Sequence, residues 1–112
     1  MSKKSSNKKP LVFYGCEWTI DGKAESGIFT SFGRCIEKVA NEIMGGVVFC
    51  DVVEKSDYLC AKILYIDSCQ KFEFKNNTDD VGLFLNNLAK EFGKEIHCHI
   101  QELELTLTME QQ

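Results

Sequence analysis

Hydrophobic and polar residues alternate along "LVFYGCEWTIDG", residues 11–22, a pattern typical of a strand with one buried face. Asp21-Gly22 is a strong hairpin signal, and "KAESGIF", residues 23–29, follows as a return strand. These patterns predict a β-hairpin at the start of the folded part. One side of its first strand holds Val12, Tyr14, Cys16, Trp18 and Ile20.

Two segments have apolar residues three or four positions apart, which predicts two amphipathic helices. The first helix begins near Phe32, with Thr30 or Ser31 as its cap, and ends at Gly45-Gly46. The second has Thr78 or Asp79 as its cap and ends at Gly93. The predicted apolar stripes consist of Phe32, Cys35, Ile36, Val39, Ala40 and Ile43, and of Val81, Phe84, Leu85, Leu88 and Phe92.

Three further strands are predicted between the helices, joined as a meander. They are "VVFCDVV" at 47–53, "YLCAKILYI" at 58–66 and "QKFEFK" at 70–75. The first of them is apolar on both faces and rich in β-branched residues. It is therefore the expected central and most buried strand of the sheet.

The last predicted strand contains a change of phase. Its early apolar positions are Ile96, Cys98 and Ile100, and its later ones are Leu103, Leu105 and Leu107. A regular strand cannot keep both sets on one face. The sequence predicts either a β-bulge or bend near Gln101-Glu102, or a strand that turns one face to the core early and the other face late.

These elements predict an α+β fold in the order ββαβββαβ. The expected architecture is a single domain over residues 11–112, preceded by a disordered Lys-rich tail at 1–10. One mostly antiparallel sheet of five or six strands carries two helices on one face, and its other face is partly open.

The composition also indicates in which cell compartment the protein is expected. Among 112 residues, 44% are hydrophobic, and no apolar run is long enough for a membrane span or the core of a secretory signal. The six cysteines are spread evenly without a CxxC pair, so they are interpreted as reduced core or near-core thiols. We expect a cytoplasmic protein.

The charge of the folded part indicates what kind of partner it suits. Setting aside Lys3, Lys4, Lys8 and Lys9 leaves nine basic residues against 17 acidic ones, a formal charge of about −8. Arg34 is the one arginine of the sequence, and arginine is the side chain best suited to phosphates and base edges. The composition therefore disfavours direct nucleic-acid binding and suits a basic protein or nucleoprotein partner.

Candidate chemistry is sparse. His97 and His99 share one face of a strand, whereas Cys98 points to the other, so no metal site is predicted. Cys35 lies in the first turn of a helix beside Arg34, but it also belongs to an apolar stripe. Asp51 interrupts an apolar strand. No catalytic residue and no cofactor is predicted.

Three classes of function remain open. The expected one is a small acidic, non-enzymatic protein that binds and inhibits a basic macromolecular partner. Immunity proteins of toxin systems and phage-encoded inhibitors of host defence act in this way, and the comparison rests on size, charge and architecture. The alternatives are a nucleic-acid-binding module that uses Phe72 and Phe74, and a small enzyme or ligand-binding domain that uses Cys35, Asp51 and the histidines.

The expected partner-binding surface is the open face of the sheet, where large aromatic side chains would be exposed inside an acidic rim. The predicted residues are Tyr14, Trp18 and Tyr65 for the aromatic part and Glu17, Glu102 and Glu104 for the rim.

Overall fold

Six strands and two helices follow one another in the predicted order. The structure, a computed structural model, describes residues 11–46 and 48–105, with the side chains of 12–46 and 48–103. The tail at 1–10 and Leu107 lie outside the described residues. The elements are β1 (Leu11–Ile20), β2 (Lys23–Phe29), α1 (Phe32–Met44), β3 (Phe49–Glu54), β4 (Tyr58–Leu64), β5 (Cys69–Lys75), α2 (Thr78–Glu91) and β6 (Ile96–Leu105).

Local residues set the turn and the helix ends. Asp21 and Gly22 have φ angles of 52° and 84°, as the predicted tight turn requires. Ser31 caps α1 as predicted, and its hydroxyl oxygen accepts the N–H of Arg34. The cap of α2 is Asn77, whose side chain accepts the N–H of Asp80, so the predicted Thr78 or Asp79 was wrong by one or two positions.

The strands form two antiparallel sheets of three strands each, which corrects the prediction of one sheet. Sheet A has the order β2-β1-β6, and sheet B has the order β3-β4-β5. Helix α1 contacts β1, β2 and β3, whereas α2 contacts β5 and β6. The helices therefore bridge both sheets rather than covering one face of a continuous sheet, and the result is one compact α+β domain.

The prediction that β3 is the central strand was wrong. It lies at an edge of sheet B, where Phe49 and Val53 are exposed, and the central strand is β4. Helix α1 lies along the edge of β3. The Asn41 side chain accepts the Cys50 N–H at 2.8 Å and donates to the Cys50 carbonyl oxygen at 3.0 Å. A helix side chain thus takes the place of a neighbouring strand.

One hydrophobic core joins the helices to both sheets. The apolar stripe of α1 is fully buried from Cys35 to Ile43, and the inward residues of β4 are Leu59, Ala61 and Ile63. Sheet A contributes Cys16 and Trp18. The side of β1 that holds these two residues therefore faces the core.

Strand β6 pairs with β1 in unbroken register from Ile96 opposite Ile20 to Leu105 opposite Leu11. The predicted bulge was therefore wrong, and the alternative of a change of face is closer to the structure. Ile96 and Ile100 share the inner face with Ile20 and Cys16, whereas Leu103 lies on the outer face opposite Phe13. Within the described part of the chain, no helix is long and apolar enough to cross a membrane.

Candidate docking groove

The residues predicted for partner binding lie in separate places. Tyr14 and Glu102 face each other across β1 and β6 and line a cleft between the sheets. Glu17 is exposed on the outer face of sheet A. Trp18 is 3% exposed, so the expectation that it lies on an open face was wrong. Its position on the inward side of β1 places it in the core.

The remaining two residues are not part of that cleft. Tyr65 follows β4, and its hydroxyl group lies 3.3 Å from Oε1 of Gln70. Glu104 is paired with Val12 in the β1–β6 ladder, and its side chain lies outside the described residues.

The inter-sheet cleft is polar, with a volume of about 320 Å³. Partial burial raises the pKa of Tyr14, and the negative charges of Glu102 and Glu54 raise it further. The Tyr14 ring packs against Phe32, with 5.7 Å between centroids. This packing holds the half-buried Tyr14 phenol between the two carboxylates. The residues described in this cleft therefore offer no exposed apolar side chain as an anchor for a protein partner.

The histidines occupy the outer face of sheet A, as their spacing predicted. His99 lies opposite Glu17, and His97 lies opposite Thr19, whereas Cys98 shares the inner face with Trp18. Across the described ranges, 11–46 and 48–105, no group of three or more His, Cys, Asp or Glu side chains is arranged to hold a metal ion.

The candidate catalytic residues are far apart in the fold. Cys35 is fully buried in α1. Asp51 lies opposite Lys62 on the outer face of sheet B, and the histidines lie on sheet A. The structure therefore brings no two of these three groups together into one cleft, as acid–base or nucleophilic catalysis would require.

A groove between β5 and α2 combines exposed apolar and acidic side chains. It has a volume of about 290 Å³, and we call it the β5–α2 groove. Its lining consists of Phe72, Glu73, Phe74, Asp80, Leu83, Phe84, Asn87, Leu88 and Glu91.

The floor of the β5–α2 groove is aromatic. The ring of Phe84 stacks on Phe74 with centroids 4.7 Å apart and meets Phe72 at 5.5 Å. Both β5 rings are half-buried and turned towards α2. Leu83, beside this floor, is 62% exposed. The groove thus offers rigid rings and one accessible leucine, which is the composition of a protein-binding anchor site.

Two carboxylates of α2, those of Asp80 and Glu91, lie beside this floor, whereas the Glu73 side chain shares the outer face of β5 with Lys71 and Lys75. Asp80 accepts the backbone N–H of Lys75 at 3.3 Å, which fixes the start of α2 to the end of β5. Glu73 is on β5 and Glu91 is at the end of α2. Burial raises the pKa of Tyr65, and the charge of Glu91 raises it further, which places Tyr65 near that end of the groove.

Strand β5 also presents a free edge at the β5–α2 groove. In the described part of sheet B it pairs with β4 alone. The N–H of Lys75 is bonded to Asp80 outside the ladder. Because backbone groups alternate in direction along a strand, the N–H and C=O groups of Lys71 and Glu73 point to the same open side. These groups are able to pair with an added strand.

The other exposed surfaces fit a basic partner less well. The outer face of sheet B has exposed Phe49 and Leu64, but it also carries lysines at 62, 71 and 75. The outer face of sheet A has a wider depression of about 510 Å³, lined mostly by polar residues such as Glu17, His97 and His99. Among the surfaces formed by residues 11–46 and 48–105, the β5–α2 groove is the one that joins an aromatic floor to acidic side chains, those of Asp80 and Glu91.

Sequence reasoning named Phe72 and Phe74 as residues of an alternative nucleic-acid-binding module, and it missed the groove beside them. A signal was present in Leu83, which lies off the apolar stripe of α2 formed by Val81, Phe84, Leu85 and Leu88. An exposed leucine next to strand aromatics indicates an apolar surface that the fold itself does not cover.

Comparisons with protein-family models, with curated protein sequences and with solved structures found no match to this chain.

Proposed function

We propose that this protein binds a basic macromolecular partner through the β5–α2 groove and inhibits it by occupying the surface that the partner uses. The observation that carries the proposal is the meeting of an aromatic floor, two carboxylates and a free strand edge in one place. No chemical step is required of the protein. Binding alone blocks the partner.

The size of the groove favours an extended segment of the partner over a helix. A helix with its side chains is about 10–12 Å across, whereas a groove of about 290 Å³ holds one or two apolar side chains. A strand added to β5 would use the open backbone groups of Lys71 and Glu73. Its alternate side chains would enter the groove and contact Phe74 and Leu83.

Charge selects the partner and speeds its approach. The folded part carries a formal charge of about −8, and the groove itself carries the carboxylates of Asp80 and Glu91. Lysine or arginine side chains on either side of the inserted apolar residue would face these carboxylates. Association is therefore expected to weaken as salt is raised, because exposed charges are screened over about 8 Å at physiological ionic strength.

A site-specific photo-cross-linker tests the proposal in the cells that make the protein. The reactive group replaces Leu83 in the groove or, as the matched control, Ile28 on the outer face of sheet A. These two aliphatic residues have similar exposure, 62% and 69%. Position 83 should yield one dominant adduct with a basic protein, and position 28 should not.

The captured partner is then purified, and its binding and activity are measured. We expect Leu83→Asp to weaken the association by about 30-fold, as for a hot-spot residue, and Ile28→Asp to change it by less than about threefold. Wild-type protein should inhibit the partner's activity, and Leu83→Asp should not do so at the same concentration. Equal labelling at both positions, or a partner whose activity is unchanged on binding, would contradict the proposal.

A further inference from the structure

Three thiols from three elements meet beneath sheet A, away from the β5–α2 groove. Cys16 on β1 lies with its Sγ atom 3.6 Å from that of Cys98 on β6. Cys35 of α1 is a further neighbour of the Cys16 thiol. Cys16 is 1% exposed and Cys35 is fully buried, whereas Cys98 is exposed.

The strand register explains why Cys16 and Cys98 are close. Cys16 is opposite Ile100, and Cys98 is opposite Trp18, so the two cysteines are diagonal neighbours on the same inner face of sheet A. A disulfide bond requires the sulfur atoms to approach to about 2.05 Å. From 3.6 Å, the remaining distance can be closed by side-chain rotation with a small strand movement.

Cys98 is accessible to a small reagent, unlike its two neighbours. It lines a crevice of about 380 Å³ between α2 and β6, together with Gly82, Leu85, Asn86 and Ile96. A small oxidant can therefore reach Cys98 first, and Cys16 lies beside it in the core. This is the arrangement of an exposed thiol with a resolving thiol.

We propose that Cys16 and Cys98 form a redox modification site, in which a hydroperoxide converts the two thiols into a disulfide that links β1 to β6. Cys98 first attacks the peroxide, so that hydrogen peroxide yields Cys98 sulfenic acid and one water molecule. The Cys16 sulfur then attacks the Cys98 sulfur and releases a second water molecule. The two sulfurs together lose two electrons, which reduce the O–O bond.

The surroundings of the thiols predict that the first step is slow. The hydrogen bond with Cys16 raises the pKa of Cys98, and burial adds to the increase. The neighbouring Cys35 thiol, together with burial, raises the pKa of Cys16 to about 12. Since the thiolate is the reacting form, oxidation needs prolonged exposure or mildly alkaline pH. Cross-linking strands 82 positions apart in sequence should then stabilise the fold.

The experiment treats the full chain with hydrogen peroxide and compares wild type with Cys98→Ser. Cys69→Ser serves as the matched control, because Cys69 is also exposed but lies on sheet B. Wild type and Cys69→Ser should each lose two hydrogen atoms in intact mass and yield a peptide linking positions 16 and 98. Their melting temperatures should rise by roughly 10 °C, and dithiothreitol should reverse the change. Cys98→Ser should show neither effect.

Peptide mapping of wild type decides the outcome even if Cys98→Ser folds poorly. A Cys16–Cys98 link supports the proposal. A Cys16–Cys35 link, links between two chains, or terminal oxidation of Cys98 without any link would each overturn it.

Discussion

The two edge strands of sheet B differ in whether a helix covers them. At the β3 edge, α1 lies along the strand, and Asn41 bonds both backbone groups of Cys50. At the β5 edge, α2 stands back and leaves a groove, and Lys75 is tied to Asp80 at one end. A strand edge without a binding role is expected to be covered, because a free edge can pair with another chain. In keeping with the proposed function, we infer that the open β5 edge serves binding, while the closed β3 edge serves stability.

The largest expected effect on stability comes from removing the Asn41 side chain, which covers the β3 edge. Asn41→Ala leaves the N–H and C=O of Cys50 without their partner, so the free energy of unfolding should fall by about 2–3 kcal/mol. Urea denaturation monitored by circular dichroism measures the loss. Asn87→Ala on α2 is the matched control, and we expect it to change stability by less than about 0.5 kcal/mol because Asn87 is exposed. Equal losses would mean that the two edges do not differ.

Amide hydrogen exchange compares the edges in the wild-type protein. The N–H of Cys50 is bonded to the Asn41 side chain, and Val52 lies near the Glu37 carboxyl group of α1. Those of Lys71 and Glu73 point to the open side of β5. Exchange at Lys71 and Glu73 should be roughly 30-fold faster than at Cys50 and Val52. Similar rates at all four positions would show that the β5 edge is covered.

A smaller effect is expected where the β5 edge is tied to α2. Asp80→Ala removes the acceptor of the Lys75 N–H and should destabilise the fold by about 1 kcal/mol relative to Asp79→Ala. Both residues lie in the first turn of α2, so the helix dipole affects them alike. Denaturant titrations of the two variants give the difference, and a larger loss in Asp79→Ala would refute the assigned role.

The smallest effect concerns the pH dependence of the β3 edge. Burial raises the pKa of Glu37, and the nearby Asp51 raises it further. The folded state therefore binds more protons than the unfolded state, and stability falls as the pH rises from the ordinary value of 4.5 through the raised pKa. Glu37→Gln removes this titration while keeping the size of the side chain.

Urea denaturation at several pH values tests that sign. The stability of Glu37→Gln relative to wild type should increase as the pH rises from 4 to 7. A Glu37→Gln difference that decreases with pH would contradict the assigned cause.

Much of the fold was predictable because local patterns agree with the packing. Periodicity located both helices and all six strands, and Asp21-Gly22 located the hairpin turn. The sheet arrangement was not predictable in the same way. The apolar stretch around Cys50 looked central, but it is an edge strand because Asn41, nine residues earlier, replaces a neighbouring strand. Periodicity carries no information about such a contact.

The candidate site was harder to predict than the fold. Trp18 was expected on an open face because one sheet with one open face was expected, whereas two sheets enclose it on the helix side. The groove depends on how far α2 stands from β5, and sequence spacing does not give that distance. Leu83, lying off the stripe of α2, was the one local indication.

Titration with a short peptide of alternating leucine and lysine, followed by amide chemical shifts in the 15N-labelled protein, tests the docking role of the β5–α2 groove most directly. We predict saturable shifts concentrated in Cys69–Lys75 and in the half of α2 around Leu83, and their loss in Leu83→Asp but not in Ile28→Asp. Shifts centred on β2 and β6, or a pattern unchanged by Leu83→Asp, would contradict the account.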